Sequence, residues 1–138
     1  MAKRRNGDIG RVIDSLRFAK HETVILFVPS HDKSSPQKPV ENQALWAQRA
    51  LELFGRLYGG ATAFKNLEGI WKDERDRLLY DQPVMVQSLA TRSACEDPGR
   101  LHKLFTFCTR MRRETNQAVV AVVFSNVIHY VTEFGDAS

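Results

Sequence analysis

Three short polar stretches hold most of the chemistry this chain can offer. His31, Asp32 and Lys33 follow directly on the apolar run from Val24 to Val28. Trp71 opens the charged stretch WKDERDR, and Arg113, Glu114, Thr115, Asn116 and Gln117 precede a second apolar run, AVVAVVF. Together they supply an imidazole, carboxylates, side-chain amides that both donate and accept, cations and an aromatic face. That is the equipment of a polar binding site. Combined differently, with carboxylates around Asp32, Asp73 and Glu114 holding a divalent metal and His31 as acid or base, it is the equipment of a phosphodiesterase.

No recognised catalytic motif accompanies these residues. The sequence has no G-x-S-x-G elbow, no phosphate-binding Walker loop, no H-E-x-x-H and no paired C-x-x-C. The glycines of YGGATAF follow a helical pattern instead of preceding one, so they read as a helix stop and not as a phosphate cradle. Cys108 falls on an apolar helical stripe and reads as a small core residue. Cys95 has acidic neighbours that disfavour a thiolate. His21, His102 and His129 are scattered, without metal-ligand spacing. No cofactor is called for; a divalent metal enters only with the phosphodiesterase or nuclease reading.

The elements that must position these groups follow from periodicity and punctuation. Residues 23–29 form a strand with no polar face. Trp46, Ala50, Leu53 and Leu57 mark a helix from about Asn42 to Tyr58, widened by Leu51, Phe54 and Tyr58 and stopped by Gly59. ATAF and GIWK form a second strand, interrupted near Gly69, and KDERDR is a hairpin tip. Residues 78–89 form a third strand with an irregularity at Pro83. Asp97 caps a second helix with Pro98 at its first position, and Leu101, Leu104, Phe105, Cys108 and Met111 line its apolar side. AVVAVVF and VIHYVTEF pair as a hairpin about SN, where asparagine tolerates a positive φ. The stretch SHDKSSPQKPVEN reads as a surface loop.

This order, βαββαβ plus one strand, predicts an α+β ferredoxin-like sandwich. With the expected strands counted from the N-terminus, the sheet order is 5-4-1-3-2. The topology gathers the end of the first strand, the hairpin tip and the turn after the second helix at one rim. His31, Asp32, Lys33, Trp71, Arg113, Glu114, Thr115, Asn116 and Gln117 are therefore the expected ligand-binding residues. The first and fourth strands are neighbours, so SHDK and ETNQ should meet.

The first and fourth strands are apolar on both sides, so the sheet face away from the helices must also be covered. Leaving about four large apolar groups in water forgoes ~1.5–3 kcal/mol each. The covers on offer are a short amphipathic helix over 8–19 (Ile9, Val12, Ile13, Leu16) and a second copy of the chain. A homodimer through this face, with the arm taking part, is the expectation.

The chain has 138 residues, 43% apolar and 26% charged. That is enough for one domain with its own core. The organisation expected is a basic arm with its helix over 1–20 and a single domain over 21–138. Residues 1–20 hold six basic and two acidic residues and so carry the whole net charge of +4. The body is neutral, which argues against wholesale wrapping of nucleic acid and leaves weak, salt-sensitive contact through residues 3–20 as a lesser possibility. No secretory signal or apolar span is evident, so a cytoplasmic protein is expected. The functional expectation is a small dimeric binding module for a small ligand or protein partner. Its alternatives are a metal-dependent phosphodiesterase or nuclease acting on RNA, DNA or cyclic nucleotides, and weak nucleic-acid binding by the arm.

Overall fold

The computed structural model of the chain describes residues 21–32 and 35–133. The basic arm, the helix expected over 8–19 and Lys33 lie outside the described residues.

The frame is an antiparallel sheet of β1 (Glu22–Val28), β4 (Thr62–Phe64), β7 (Val84–Ala90), β8 (Val120–Phe124) and β9 (Val127–Val131), in the order β4-β7-β1-β8-β9. Counted over the five expected strands, that is the order 5-4-1-3-2. Strands alternate sides residue by residue. Val24, Leu26 and Val28 of β1 therefore share a face with Val84 and Val86 of β7 and with Val120 and Val122 of β8, and this set is buried. Two long helices cover that face, α1 (Gln43–Tyr58) and α3 (Pro98–Glu114). Trp46, Ala50 and Phe54 of α1 and Leu104, Cys108 and Met111 of α3 complete the core. Phe54, with no exposed surface, holds the central place that the spacing alone gave to Leu53. Trp46 meets Phe107 edge-on at 5.6 Å between ring centres, tying the two helices together. The result is a ferredoxin-like α+β sandwich.

The caps follow the sequence closely. Gly59 ends α1 at φ 90°, its N–H bonded to Gly55 O. Asp97 accepts from the Arg100 N–H at 2.9 Å, and Pro98 opens α3. At the other end of α3, Asn116 takes the left-handed conformation at φ 51°. Its N–H bonds Arg113 O, and the Gln117 N–H bonds Arg112 O. This pair of bonds is the Schellman closure, with asparagine standing where glycine is commoner.

The structure differs from expectation in four places. Each expected interrupted strand divides in two. After β4 the chain leaves the sheet, forms a separate hairpin of β5 (Gly69–Lys72) and β6 (Leu78–Asp81), and rejoins the sheet at β7. Pro83 has no N–H to give a ladder, and the strand breaks there instead of bending. SHDKSSPQKPVEN, expected as loop, contains a small ribbon of β2 (His31–Asp32) against β3 (Ser35–Pro39). A one-turn helix, α2 (Arg92–Glu96), precedes α3; Thr91 caps it by accepting the Ala94 N–H at 3.2 Å. At the β8–β9 turn it is Ser125, at φ 52°, that takes the positive φ expected of the asparagine.

The second sheet face is apolar, as its strands imply. The row Tyr130, Ala121, Phe27, Met85, Phe64 crosses all five strands, the Phe27–Ala121 step continuing the Leu26–Val122 register. Phe64, Leu89, Ile128 and Tyr130 on this face are exposed.

Candidate functional site

Pro29 ends β1, and Ser30 begins the turn that carries the chain into the β2–β3 ribbon. Ser30 is buried and its polar groups join three segments. Its Oγ accepts the Gln82 N–H at 2.8 Å, its carbonyl accepts the Val40 N–H at 2.7 Å, and its Oγ lies 2.6 Å from His31 Nδ1. Gln43 at the start of α1 donates to Gln82 O at 3.0 Å, fastening the return of the β5–β6 hairpin to the sheet.

The Schellman turn after α3 reaches the same place from the other side. Asn116 Nδ2 donates to Asp32 Oδ1 at 2.8 Å, and Gln117 Nε2 donates to His31 O at 2.6 Å and to Thr115 O at 3.0 Å. The ends of β1 and α3 are thus joined by side-chain bonds over the β1–β8 pairing.

Between this junction and the β5–β6 hairpin lies a cavity of about 220 Å³. Phe27, Ala121 and Val119 form its floor, Trp71, Leu79 and Tyr80 its far wall, and His31, Asp32, Asp81 and Gln117 bring polar groups to it. Apolar walls with a few convergent polar groups are the usual make-up of a small-molecule site. Trp71 Nε1 donates to Asp81 Oδ2 at 3.0 Å, which fixes the indole. Asp81 Oδ1 is buried and has no hydrogen-bond partner among the described residues. It lies against the backbone of Gly69, where a Cβ would stand only 2.1 Å from that oxygen. Glycine is what lets the carboxylate sit there. A buried acceptor left unpaired is costly, and a ligand donor would relieve it once the carboxylate turned from Gly69 toward the cavity.

Of the nine residues expected from the sequence, His31, Asp32, Trp71 and Gln117 line the cavity, and Asn116 braces it through Asp32. Thr115 is buried and donates its hydroxyl to Met111 O at 2.6 Å, closing the helix. Glu114 pairs with Arg110 at 3.3 Å, and Arg113 with Glu133; neither lines the cavity. Lys33 lies outside the described residues. Reading the sequence missed Asp81, Tyr80 and Leu79. The signal for Asp81 was available in the pairing of GIWK with LLYD, which sets it opposite Gly69.

The carboxylates named for a phosphodiesterase do not converge. Asp73 folds the hairpin tip upon itself, accepting the N–H groups of Arg75 and Arg77 at 2.8 and 2.9 Å and the Arg77 guanidinium. The Arg77 N–H foremost, then that of Arg75 and the guanidinium, hold its carboxyl below the ordinary range. Among the described residues no group of three or more His, Cys, Asp or Glu is placed to hold a metal ion. No described helix is long and apolar enough to cross a membrane. A second hollow of about 500 Å³ lies at the opposite end, around Gly59, Gly60 and Gln87, and no charged side chain lines it.

No protein-family model and no curated protein sequence matches the chain. Solved structures do resemble it. A phage SAM lyase in complex with S-methyl-5'-thioadenosine superposes with a TM-score of 0.58 at 13% identity, over 82% of this chain and 90% of that one. A phage SAM lyase in the apo state gives 0.55 at 12% identity, over 83% and 91%. The divalent cation tolerance protein (Cut A1) from Thermus thermophilus gives 0.45 at 18% identity, over 78% and 84%. At these identities the likeness is one of fold.

Proposed function

We propose that this protein is a small-ligand binding module whose site is the cavity between the end of β1, the β5–β6 hairpin and the turn after α3. The single observation that carries the reading is Asp81. A carboxylate oxygen is held buried and unpaired at the wall of an apolar cavity, beside an indole that its other oxygen positions. The complementary ligand offers a hydroxyl or amine donor to Asp81 and a flat or apolar group to Trp71 and Leu79, which share one face of the hairpin.

A nucleoside thioether meets those requirements. Its ribose hydroxyls donate, its base presents a π-face, and its sulfur substituent is apolar. The fold shared with a phage SAM lyase that holds S-methyl-5'-thioadenosine supports this class and supplies the probe. The lyase's reaction is not carried over, since fold does not imply function.

The test is calorimetric titration of the full chain with S-methyl-5'-thioadenosine and with adenosine. Binding by wild type is expected. A hydrogen bond to a charged group is worth ~1.5–3 kcal/mol, so Asp81→Asn should weaken it about 10- to 100-fold. Trp71→Ala should weaken it as well, and Glu74→Gln, on the exposed hairpin tip, should leave it unchanged. Absence of binding to both compounds rejects the nucleoside class. Binding that is indifferent to Asp81→Asn and Trp71→Ala rejects the cavity.

A further inference from the structure

We infer that a second copy of this chain packs on the open sheet face and in doing so closes the cavity over Trp71. The inference rests on the reading of that cavity as the site. Three observations lead to it.

The face is continuous with the site. Phe27 and Ala121 belong both to the apolar row that crosses the sheet and to the cavity floor, so anything lying along that row meets the cavity at its rim. The far wall needs such a neighbour, because Trp71 is 48% exposed.

The face carries no charge. Thr23, Ile25 and Phe27 of β1, Met85, Gln87 and Leu89 of β7, and their partners on β4, β8 and β9 are all neutral. The strands of two such faces meet without burying an ion of their own, and a patch that pairs with itself is what a two-fold interface requires.

The area is sufficient. Taking ~200 Å² for an aromatic side chain, the exposed parts of Phe64, Leu89, Ile128, Tyr130 and Trp71 amount to on the order of 500 Å² of apolar surface. Ile25, Phe27, Met85 and Val123, half-buried beneath them, bring the total toward the ~800 Å² that each partner gives to a standard interface. A monomer seldom leaves a patch of this size in water.

The experiment uses the full chain, with Leu89→Asp and Ile128→Asp as two separate variants. Both side chains are exposed on the face and neither lines the cavity, so the fold is expected to persist, with circular dichroism as the check. Light scattering gives the mass, and acrylamide quenching reads Trp71, since Trp46 is buried. Wild type should have a mass of at least two chains of 15.7 kDa and a shielded indole. Each variant should fall to the single-chain mass and lose that shielding.

A wild-type chain of single-chain mass overturns the inference, and that is also the outcome if residues 1–20 cover the face. Variants that stay assembled overturn it, as do variants that dissociate with no change in Trp71 quenching. None of these readouts needs a ligand. An assembled, shielded protein that ignores S-methyl-5'-thioadenosine therefore supports the packing and counts against the ligand alone.

Discussion

Asn116 and Asp32 stand 84 positions apart in sequence and are joined side chain to side chain, Nδ2 to Oδ1, at 2.8 Å. The same asparagine holds the left-handed position that closes α3. It therefore does two things, and two substitutions separate them. Asn116→Ala loses the bond and forces a Cβ-bearing residue with no polar group into positive φ. It should cost about 1–2 kcal/mol in urea unfolding. Asn116→Gly loses the same bond but suits the backbone, and should stay within about 0.5 kcal/mol of wild type. If Asp32 needs its brace to serve the cavity, both variants should weaken probe binding alike despite their different stabilities.

Gly69→Ala is expected to harm the site more than the fold. The new methyl collides with Asp81 Oδ1 and must push the carboxylate aside, which breaks its bond to the Trp71 indole. A short side chain can yield, so the stability loss should be near the lower end of the ~1–3 kcal/mol typical of overpacking. The sensitive readouts are Trp71 emission, which should shift, and affinity for the probe, which should fall as it does for Asp81→Asn.

The two thiols should be silent in the native protein. Burial pushes Cys108 up to about 12, and burial with Glu22 and Glu96 nearby raises Cys95. Thiolate is the reactive form, so a disulfide exchange reagent at pH 8 should label neither cysteine until denaturant is added, and then both. Rapid labelling of the folded chain would contradict the packing of α2 and α3 against the sheet.

Glu133 gives the acid limb of stability a defined contributor. Its carboxylate accepts from Arg113 and Arg112, which anchors the chain after β9 to the last turn of α3. The hydrogen bond from Arg113 first, and the charges of both arginines with it, hold its pKa below the ordinary value. A lowered pKa in the folded state means that the folded chain binds this proton less readily than the unfolded one. The stabilisation is present above the unfolded value of ~4.3 and is lost as pH falls through the folded one. Melting temperatures of wild type and Glu133→Gln should differ at pH 6 and converge toward pH 3. The difference at pH 6 should shrink with added salt, because the group is exposed.

The frame could be read from sequence because its signals are local and repeated. Uninterrupted apolar runs gave β1 and β8, the Asp97-Pro98 pair gave the start of α3, and Gly59 gave the end of α1. Handedness and short connections then left few ways to order the strands, and placed His31 beside Gln117. The site was only partly legible, because its remaining members depend on where a strand stops being part of the sheet. Gln82 and Pro83 look like a flaw in one long strand. The bonds that turn the flaw into a departure, from Ser30 and Gln43 to the backbone of Gln82, come from distant positions. Asp81 was hidden for that reason. Arg113 and Glu114 stand apart from the cavity for the converse reason: each has an ion-pair partner, Glu133 and Arg110.

The excursion between Phe64 and Val84 has a consequence for what can be altered in this protein. The strands on either side of it, β4 and β7, are direct neighbours, with Phe64 opposite Met85. A tight two-residue turn would connect them just as well. The hairpin bearing Trp71 and Asp81 is thus a cassette let into a connection that the sheet does not need. Its length and its aromatic side can be changed without renegotiating the interior of the sandwich.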